Sequence, residues 1–344
     1  MVDRDRAVRR TDLPTEFRAA APTRIDLAGG WTDVPPFSAR AGGLVVNAAI
    51  ALMVQVELRL GGTLVKLVSD DQGDSVECAN SGGLVLDGRL DLLKAGLRMF
   101  PVLGPLTLTT RSEIPLGSGL GGSGALDVAL VACLAAARQE RLEPRDLAHQ
   151  AWLLETQEAR VPGGRQDQLA AALGGFLRLS FRDPDVGIEP ITLDPAFAEA
   201  LERRLVLCYT GQSRVSGKTI TRVMNAYERG DATVTGALEK MKDVASAMVE
   251  ALRAADLGHV GRLLSENWVC QQALDPGMRT DEMGRLEQAM TDYKVLGGKA
   301  AGAGAGGSMF FLTREPDPAI VDAARAAGAT VLPLRWAPEG GRAW

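Results

Sequence analysis

The stretch Pro115-Leu116-Gly117-Ser118-Gly119-Leu120-Gly121-Gly122-Ser123-Gly124-Ala125 decides how this chain is read. It follows LTLTTRSEI (106–114), where Thr and apolar residues alternate as in a half-buried strand. It opens an apolar helix expected from about Ser123 to Gln139. Five glycines in eight residues (117–124) exceed what a tight turn requires. Between a strand and a helix they let backbone N–H groups converge, and the helix start adds about half a positive charge. The loop is therefore expected to hold an anion, most simply the polyphosphate of a nucleotide.

Upstream, FRAAAPTRIDLAGG (17–30), LVVNAAIALMVQVELRL (44–60) and TLVKLVSDD (63–71) read as strands ended by Gly or Asp. Downstream, a second helix is expected from Pro144 to Ala159. VPGGRQDQLAAALGGFLRLSF (161–181) then reads as loop, short helix, Gly-Gly break and strand. RLVLCYTG (204–211) starts what reads as a second domain, with amphipathic helices near 217–229, 231–254, 256–272 and 279–295. GGKAAGAGAGGSMFFLT (297–313) reads as a glycine loop running into a strand, followed by a helix (317–327) and a short strand TVLPL. Strands grouped early and helices late predict an α+β chain. Its 344 residues suit a lead-in (1–17) and two domains, 18–203 and 204–344.

Composition excludes several classes. Lys+Arg 38 against Asp+Glu 43 gives a net charge of −5 without a basic stripe, so no nucleic-acid partner is expected. Cys78, Cys133, Cys208 and Cys270 form no CxxC pair, which argues against a zinc or disulfide framework and fits a reducing cytoplasm. His149 and His259 are too few for a histidine metal site, and neither sits near a GxSxG elbow. The basic residues 1–17 have no apolar core behind them and are not a signal peptide. The longest apolar stretch, 125–137, contains Asp127 and is too short to span a bilayer, so no membrane partner is expected.

Three glycine patterns compete. Gly117-x-Gly119-x-x-Gly122 and Gly302-x-Gly304-x-x-Gly307 both satisfy GxGxxG. A dinucleotide fold needs the strand to enter the first glycine directly, whereas Glu113-Ile114-Pro115 intervenes before one and a strand follows the other. Gly211-Gln-Ser-Arg-Val-Ser-Gly217-Lys218-Thr219 mimics a P-loop but has five residues between its glycines, not four, and no strand ending in Asp follows. Among carboxylates, Asp167 in GGRQDQ (163–168) and Glu155 stand out. A solvated turn explains such an Asp as readily as a role in receiving or orienting a substrate hydroxyl proton. Arg24, at the head of an apolar strand, is a candidate cation for a phosphoryl group.

These residues carry a resemblance. PLGSGLGGSGA (115–125), APTRIDLAGGWTDVPP (21–36) and KAAGAGAGG (299–307) resemble, in order, the second, first and third motifs of the GHMP kinases. The likeness covers about residues 17 to 315. Within that superfamily AGGWTD, GGRQDQLAAALGGF, YTGQSRVS and GGKAAGAGAGG are similar to segments of the heptose 7-phosphate kinases and the kinase part of L-fucokinases. The resemblance implies a ribosomal S5 domain 2-like N-terminal domain and a ferredoxin-like α+β C-terminal domain. It implies ATP and Mg²⁺, and transfer to the anomeric hydroxyl of a sugar or sugar phosphate by a monomer or homodimer. A cyclitol or other hydroxyl-bearing acceptor is an alternative, and a non-catalytic sugar or nucleotide sensor is an alternative of another class. By the same resemblance Asp167 is the catalytic carboxylate and Arg24 the cation paired with it. Ser123 and Glu155 are the magnesium ligands. Pro115, Gly117, Ser118, Gly119, Leu120, Gly121, Gly122, Ser123, Gly124, Gly302, Gly304, Gly306 and Gly307 face the nucleotide. Asp33, Trp31, Gly164 and Arg214 face the acceptor. For an acceptor carrying its own phosphate, Arg165, Arg178, Arg214 and Lys218 are candidates for a basic pocket. The chain departs from the pattern where galactokinases carry Gly-Glu-His-Thr-Asp, having Gly29-Gly30-Trp31-Thr32-Asp33, which argues against galactose. Gly122 and Gly124 stand where the family's Ser-Ser-Ala has its first serine and its alanine. Its length leaves no room for the nucleotidyltransferase fused to bifunctional fucokinases.

Overall fold

The computed structural model describes residues 15–212 and 216–344. Most of the expected lead-in and the acceptor candidate Arg214 therefore lie outside the described residues. In chain order the elements are β1 (Glu16–Ala28), α1 (Phe37–Ala41), β2 (Gly43–Leu60), β3 (Val65–Ser69), β4 (Asp74–Cys78), α2 (Asp91–Met99), β5 (Leu106–Ser112), α3 (Gly122–Ala137), α4 (Pro144–Leu153), α5 (Gln166–Leu173), β6 (Phe176–Arg182) and β7 (Asp185–Pro190). They continue as α6 (Pro195–Arg204), β8 (Leu205–Tyr209), α7 (Ser216–Glu228), α8 (Ala232–Arg253), α9 (Leu257–Gln272), α10 (Asp281–Thr291), β9 (Gly297–Ala300), β10 (Ser308–Leu312), α11 (Pro318–Ala326), β11 (Thr330–Leu332) and β12 (Arg342–Ala343).

One sheet runs β12-β1-β2-β5-β3-β4, with β6 on the first half of β2 and β7 beyond it. β3 and β5 pair in parallel. The other sheet runs β11-β8-β10-β9, antiparallel throughout. Strand periodicity explains how this second sheet is covered. Phe310 and Leu312 of β10 enter one apolar cluster with β1, β2 and α8, whereas Met309 and Phe311 enter another with α10 and α11. A third cluster lies under α2 and α3 against the first sheet.

Two expectations need correction. Residues 297–300 are strand β9 rather than loop, because GGKA pairs with β10 (Met309 with Ala300, Leu312 with Gly297) and the glycines fit the crowded register. The helix from Pro144 stops as an α-helix at Leu153 and widens into a π turn over Leu154–Glu158, which carries Glu155. π turns of this kind recur at functional sites. Among the described residues no helix is long and apolar enough to cross a membrane.

Candidate active site

The glycine loop joins β5 to α3 and rests on the first strand of the chain. Helices α6, α8, α9, α10 and α11 each begin with an Asp or Thr side chain on an early backbone N–H. α3 begins at Gly121 (φ +75°), and among the described residues no side chain caps it. Its first N–H groups and its partial positive charge are left for something else. The tip opens on a cavity of about 540 Å³ lined by Pro115, Gly117, Ser118, Gly119, Gly121, Gly122 and Ser123.

Arg24 comes up from β1 beneath this loop, almost fully buried. Its Nε and Nη2 donate to the two oxygens of Asp167, each at 2.8 Å, and its Nη1 donates to Gly119 O at 2.7 Å. A two-pronged pair of this kind fixes both the distance and the plane of the carboxylate. Burial works to lower the Arg24 guanidinium, but Asp167, then Asp26 and Asp33, outweigh it and raise it. Asp167 sits in the first turn of α5, close to the start of α3: a Cβ built on Gly124 would fall 2.6 Å from the Asp167 Cβ. Ser123 and Asp167 thus face one cavity from adjoining helix tips.

Glu155 is buried on the cavity wall beside Ser123 and receives Gln168 Nε2 at 2.7 Å. Burial pushes its carboxyl up to about 7, the Ser123 hydroxyl and the Gln168 amide opposing that rise and the Asp167 charge adding to it. Among the described residues no group of three or more His, Cys, Asp or Glu forms a protein-only metal cage. One carboxylate and one hydroxyl, with no cation partnering the carboxylate among the described residues, are a donor set suited to Mg²⁺ that shares its remaining positions with phosphates and water.

Asp33 lines the same cavity, with Gln166 N at 3.2 Å and Gln166 Nε2 at 3.1 Å on its oxygens. Burial first, and the Asp167 charge next, push it up to about 6. Gly164 packs against it so tightly that a Cβ would lie 1.9 Å from Asp33 Oδ2. Trp31 lines the cavity from a left-handed backbone (φ +82°), largely buried, and among the described residues its indole N–H has no partner.

The structure brings Arg24, Trp31, Asp33, Ser123, Glu155, Gly164, Asp167 and Gly302 to one cavity. Other expected residues lie behind it. Leu120 is a core side chain, and Gly124 is the contact between α3 and α5. Gly304 packs on Met278 and Gln271, Gly306 on Gln212, and Gly307 on Ser118 O, and none of the three is among the residues lining the cavity. Arg165 lies 4.1 Å over the Trp152 ring and is bound to Asp183, while Arg178 pairs with Glu189, so neither lines the cavity. Lys218 is exposed beside the cavity-lining Gly217. Sequence reasoning missed Gln166 and Gln168, although both flank Asp167 in the quoted segment. It also missed the far wall formed by Ser69, Leu90, Thr110 and Ser112, which no motif marks.

Comparison with known proteins agrees with this geometry. The family description "GHMP kinases N terminal domain" matches residues 89–175, and "GHMP kinases C terminal" matches 248–330. The chain is 32% identical to a D-glycero-alpha-D-manno-heptose 7-phosphate kinase of Campylobacter jejuni, over 95% of this chain and 98% of that one. It is 26% identical to the bifunctional fucokinase/GDP-fucose pyrophosphorylase of Arabidopsis thaliana over 89% of this chain, spanning 30% of that protein. A crystal structure of a D-glycero-D-manno-heptose 1-phosphate kinase from Bacteroides thetaiotaomicron superposes with a TM-score of 0.78 at 26% identity, covering 95% of this chain and 98% of that one. The chain belongs to the GHMP kinases, phosphotransferases that act on a hydroxyl acceptor, and has their N- and C-terminal domains.

Proposed function

We propose that this kinase transfers the γ-phosphoryl group of ATP to the anomeric hydroxyl of a sugar or sugar phosphate, with heptose 7-phosphate as the leading acceptor. The observation that carries the proposal is the Arg24–Asp167 pair, held under the glycine loop in the cavity that Asp33 also lines. ATP phosphates would lie against the bare tip of α3, with the base toward Ser69, Leu90 and Thr110. Ser123 and Glu155 would hold Mg²⁺, whose charge offsets that of the β- and γ-phosphoryl oxygens.

Asp33 keeps acceptor capacity beyond its bonds from Gln166, since a carboxylate offers about four lone-pair positions, and it would receive ring hydroxyls. Trp31 would present an apolar ring face to the sugar. Asp167 receives the proton of the acceptor hydroxyl as its oxygen bonds to the γ-phosphorus and the bond to the β–γ bridging oxygen breaks, leaving ADP. Arg24 holds Asp167 in line and faces the charge spread over the transferring group. The names of the heptose kinases at 32% and 26% identity support the choice of acceptor. The two sheets support a division near residue 204, with β8 opening the second domain, while β12 at the end of the chain returns to pair with β1 of the first sheet. Four free thiols support work in a reducing cytoplasm.

ADP release over a panel of sugars and sugar phosphates, followed by ³¹P NMR of the product, tests this reading. The expected outcome is acceptor-dependent ADP release and a new phosphorus resonance coupled to the anomeric proton. Phosphorus on another carbon, or ADP release that ignores the acceptor, would overturn it.

A further inference from the structure

Helix α9 lies in the C-terminal domain, and the proposed chemistry gives it no task. It carries two amides four residues apart, Asn267 and Gln271, and residues four apart share a helix face. Both are fully buried, and neither lines the cavity. A buried amide is costly unless its polar atoms are engaged, and each of these engages backbone beside the site.

Asn267 Oδ1 receives the backbone N–H of Gly29 at 2.9 Å. Gly29 follows the last residue of β1, and its carbonyl receives Thr32 N at 3.1 Å. That bond closes the turn from which Trp31 and Asp33 line the cavity. Gly29 has φ +81°, and a Cβ there would fall 1.9 Å from Leu44 O, so the turn is packed on β2 as well as held by α9.

Gln271 Nε2 donates to Gly302 O at 2.9 Å. Gly302 lines the cavity and lies directly against the glycine loop: a Cβ on it would fall 2.4 Å from Gly119 O. Gly119 O is also the acceptor for Arg24 Nη1. One face of α9 thus grips the acceptor-side turn at one point and the nucleotide-side segment at another, about 6 Å apart along the helix axis. A helix buried along this face is stiff, so the two grips keep a fixed spacing.

We propose that Asn267 and Gln271 are positioning residues, Asn267 for the turn that receives the acceptor and Gln271 for the segment that backs the nucleotide loop. Through them α9 sets the spacing between the two substrates. The inference rests on the reading of Trp31 and Asp33 as the acceptor end and of the glycine loop as the nucleotide end. Neither amide touches a substrate; each acts through the backbone it holds.

Hydrogen–deuterium exchange of the ligand-free full chain, read by mass spectrometry over residues 27–34 and 300–305, tests the positioning by itself. Asn267→Leu keeps the branched outline and Gln271→Met the length, each without the polar contact. Asn267→Leu is expected to speed exchange in 27–34 about tenfold, the scale of one buried hydrogen bond lost, and to leave 300–305 within about twofold of the parent. Gln271→Met is expected to do the reverse. Exchange unchanged in both segments, or raised equally in both by each variant, would overturn the positioning role. Gln271→Met decides the matter should thermal unfolding show that Asn267→Leu does not fold. Calorimetric binding of ADP and of heptose 7-phosphate then tests the consequence. Asn267→Leu is expected to weaken heptose 7-phosphate about tenfold and spare ADP, and Gln271→Met to weaken ADP and spare heptose 7-phosphate. Local exchange raised as expected in Asn267→Leu, with heptose 7-phosphate bound as tightly as before, would remove the acceptor half of the proposal. A parent chain that does not bind heptose 7-phosphate at all would overturn the acceptor reading instead, and the exchange data would still decide the positioning role.

Discussion

At the residue scale, the chemistry depends on carboxylates that differ because their neighbours differ. Asp167 has both oxygens engaged by Arg24, Glu155 receives the Gln168 amide beside Ser123, and Asp33 receives Gln166. Replacing Asp167 by Asn keeps the shape but removes the proton acceptor and the charge facing Arg24. Steady-state ADP release is expected to show kcat lower by about 10²–10⁴-fold, with the KM for ATP nearly unchanged. Asp33 makes a prediction in pH. Its carboxyl is raised to about 6 in the folded protein, so the stability it contributes is full below the unfolded value and is lost as pH rises through about 6. Urea unfolding of the metal-free parent and of Asp33→Asn should therefore diverge between pH 4 and 7. The parent loses up to about 3 kcal/mol relative to the variant, the amount that corresponds to the rise from 3.8 to about 6. A difference that stays flat with pH would contradict the assignment.

At the scale of elements, the site is made where two helix tips and one strand come together. α3 enters from Gly121, where among the described residues no side chain caps it, α5 carries Asp167 in its first turn, and β1 supplies Arg24 from below. Gly124 lets the two helices close. Propensity alone would favour alanine there by about 1 kcal/mol. The contact works against it, because the added Cβ would sit 2.6 Å from the Asp167 Cβ, which is part of a well-anchored side chain. Gly124→Ala is expected to cost about 1–3 kcal/mol in urea unfolding, the usual range for overpacking. It is also expected to lower kcat by about tenfold or more by moving Asp167 off its line. Unchanged stability and turnover would mean that the helices yield without moving the carboxylate.

At the scale of the whole molecule, the two sheets are tied together beneath the site by a buried ion pair. Lys299 of β9 donates to Asp26 Oδ2 at 2.6 Å and to Asp26 O at 2.8 Å, and Gly302 N donates to Asp26 Oδ1 at 2.7 Å. Both side chains are buried, and burial lowers Lys299 against the pull of Asp26. Lys299→Met strands a carboxylate in the interior and is expected to cost about 3–5 kcal/mol in chemical unfolding, with Asp26→Asn in the same chain recovering part of the loss. Local order in the chain already determined the glycine loop, the bare helix start, the strand carrying Arg24 and the short helix carrying Asp167. Each of these is set by residue type and spacing over a dozen neighbours. Gln168, Asn267 and Asp26 could not be singled out in that way, since a lone polar residue in an apolar run gains its role only from partners far along the chain. Gly304, Gly306 and Gly307 looked like ligand-facing residues for the same reason, because whether a glycine faces a cavity or another backbone is not written in its neighbours. Only the tertiary structure decided which side chains share the cavity, because burial and hydrogen-bond pairing are properties of contacts that form when distant segments pack.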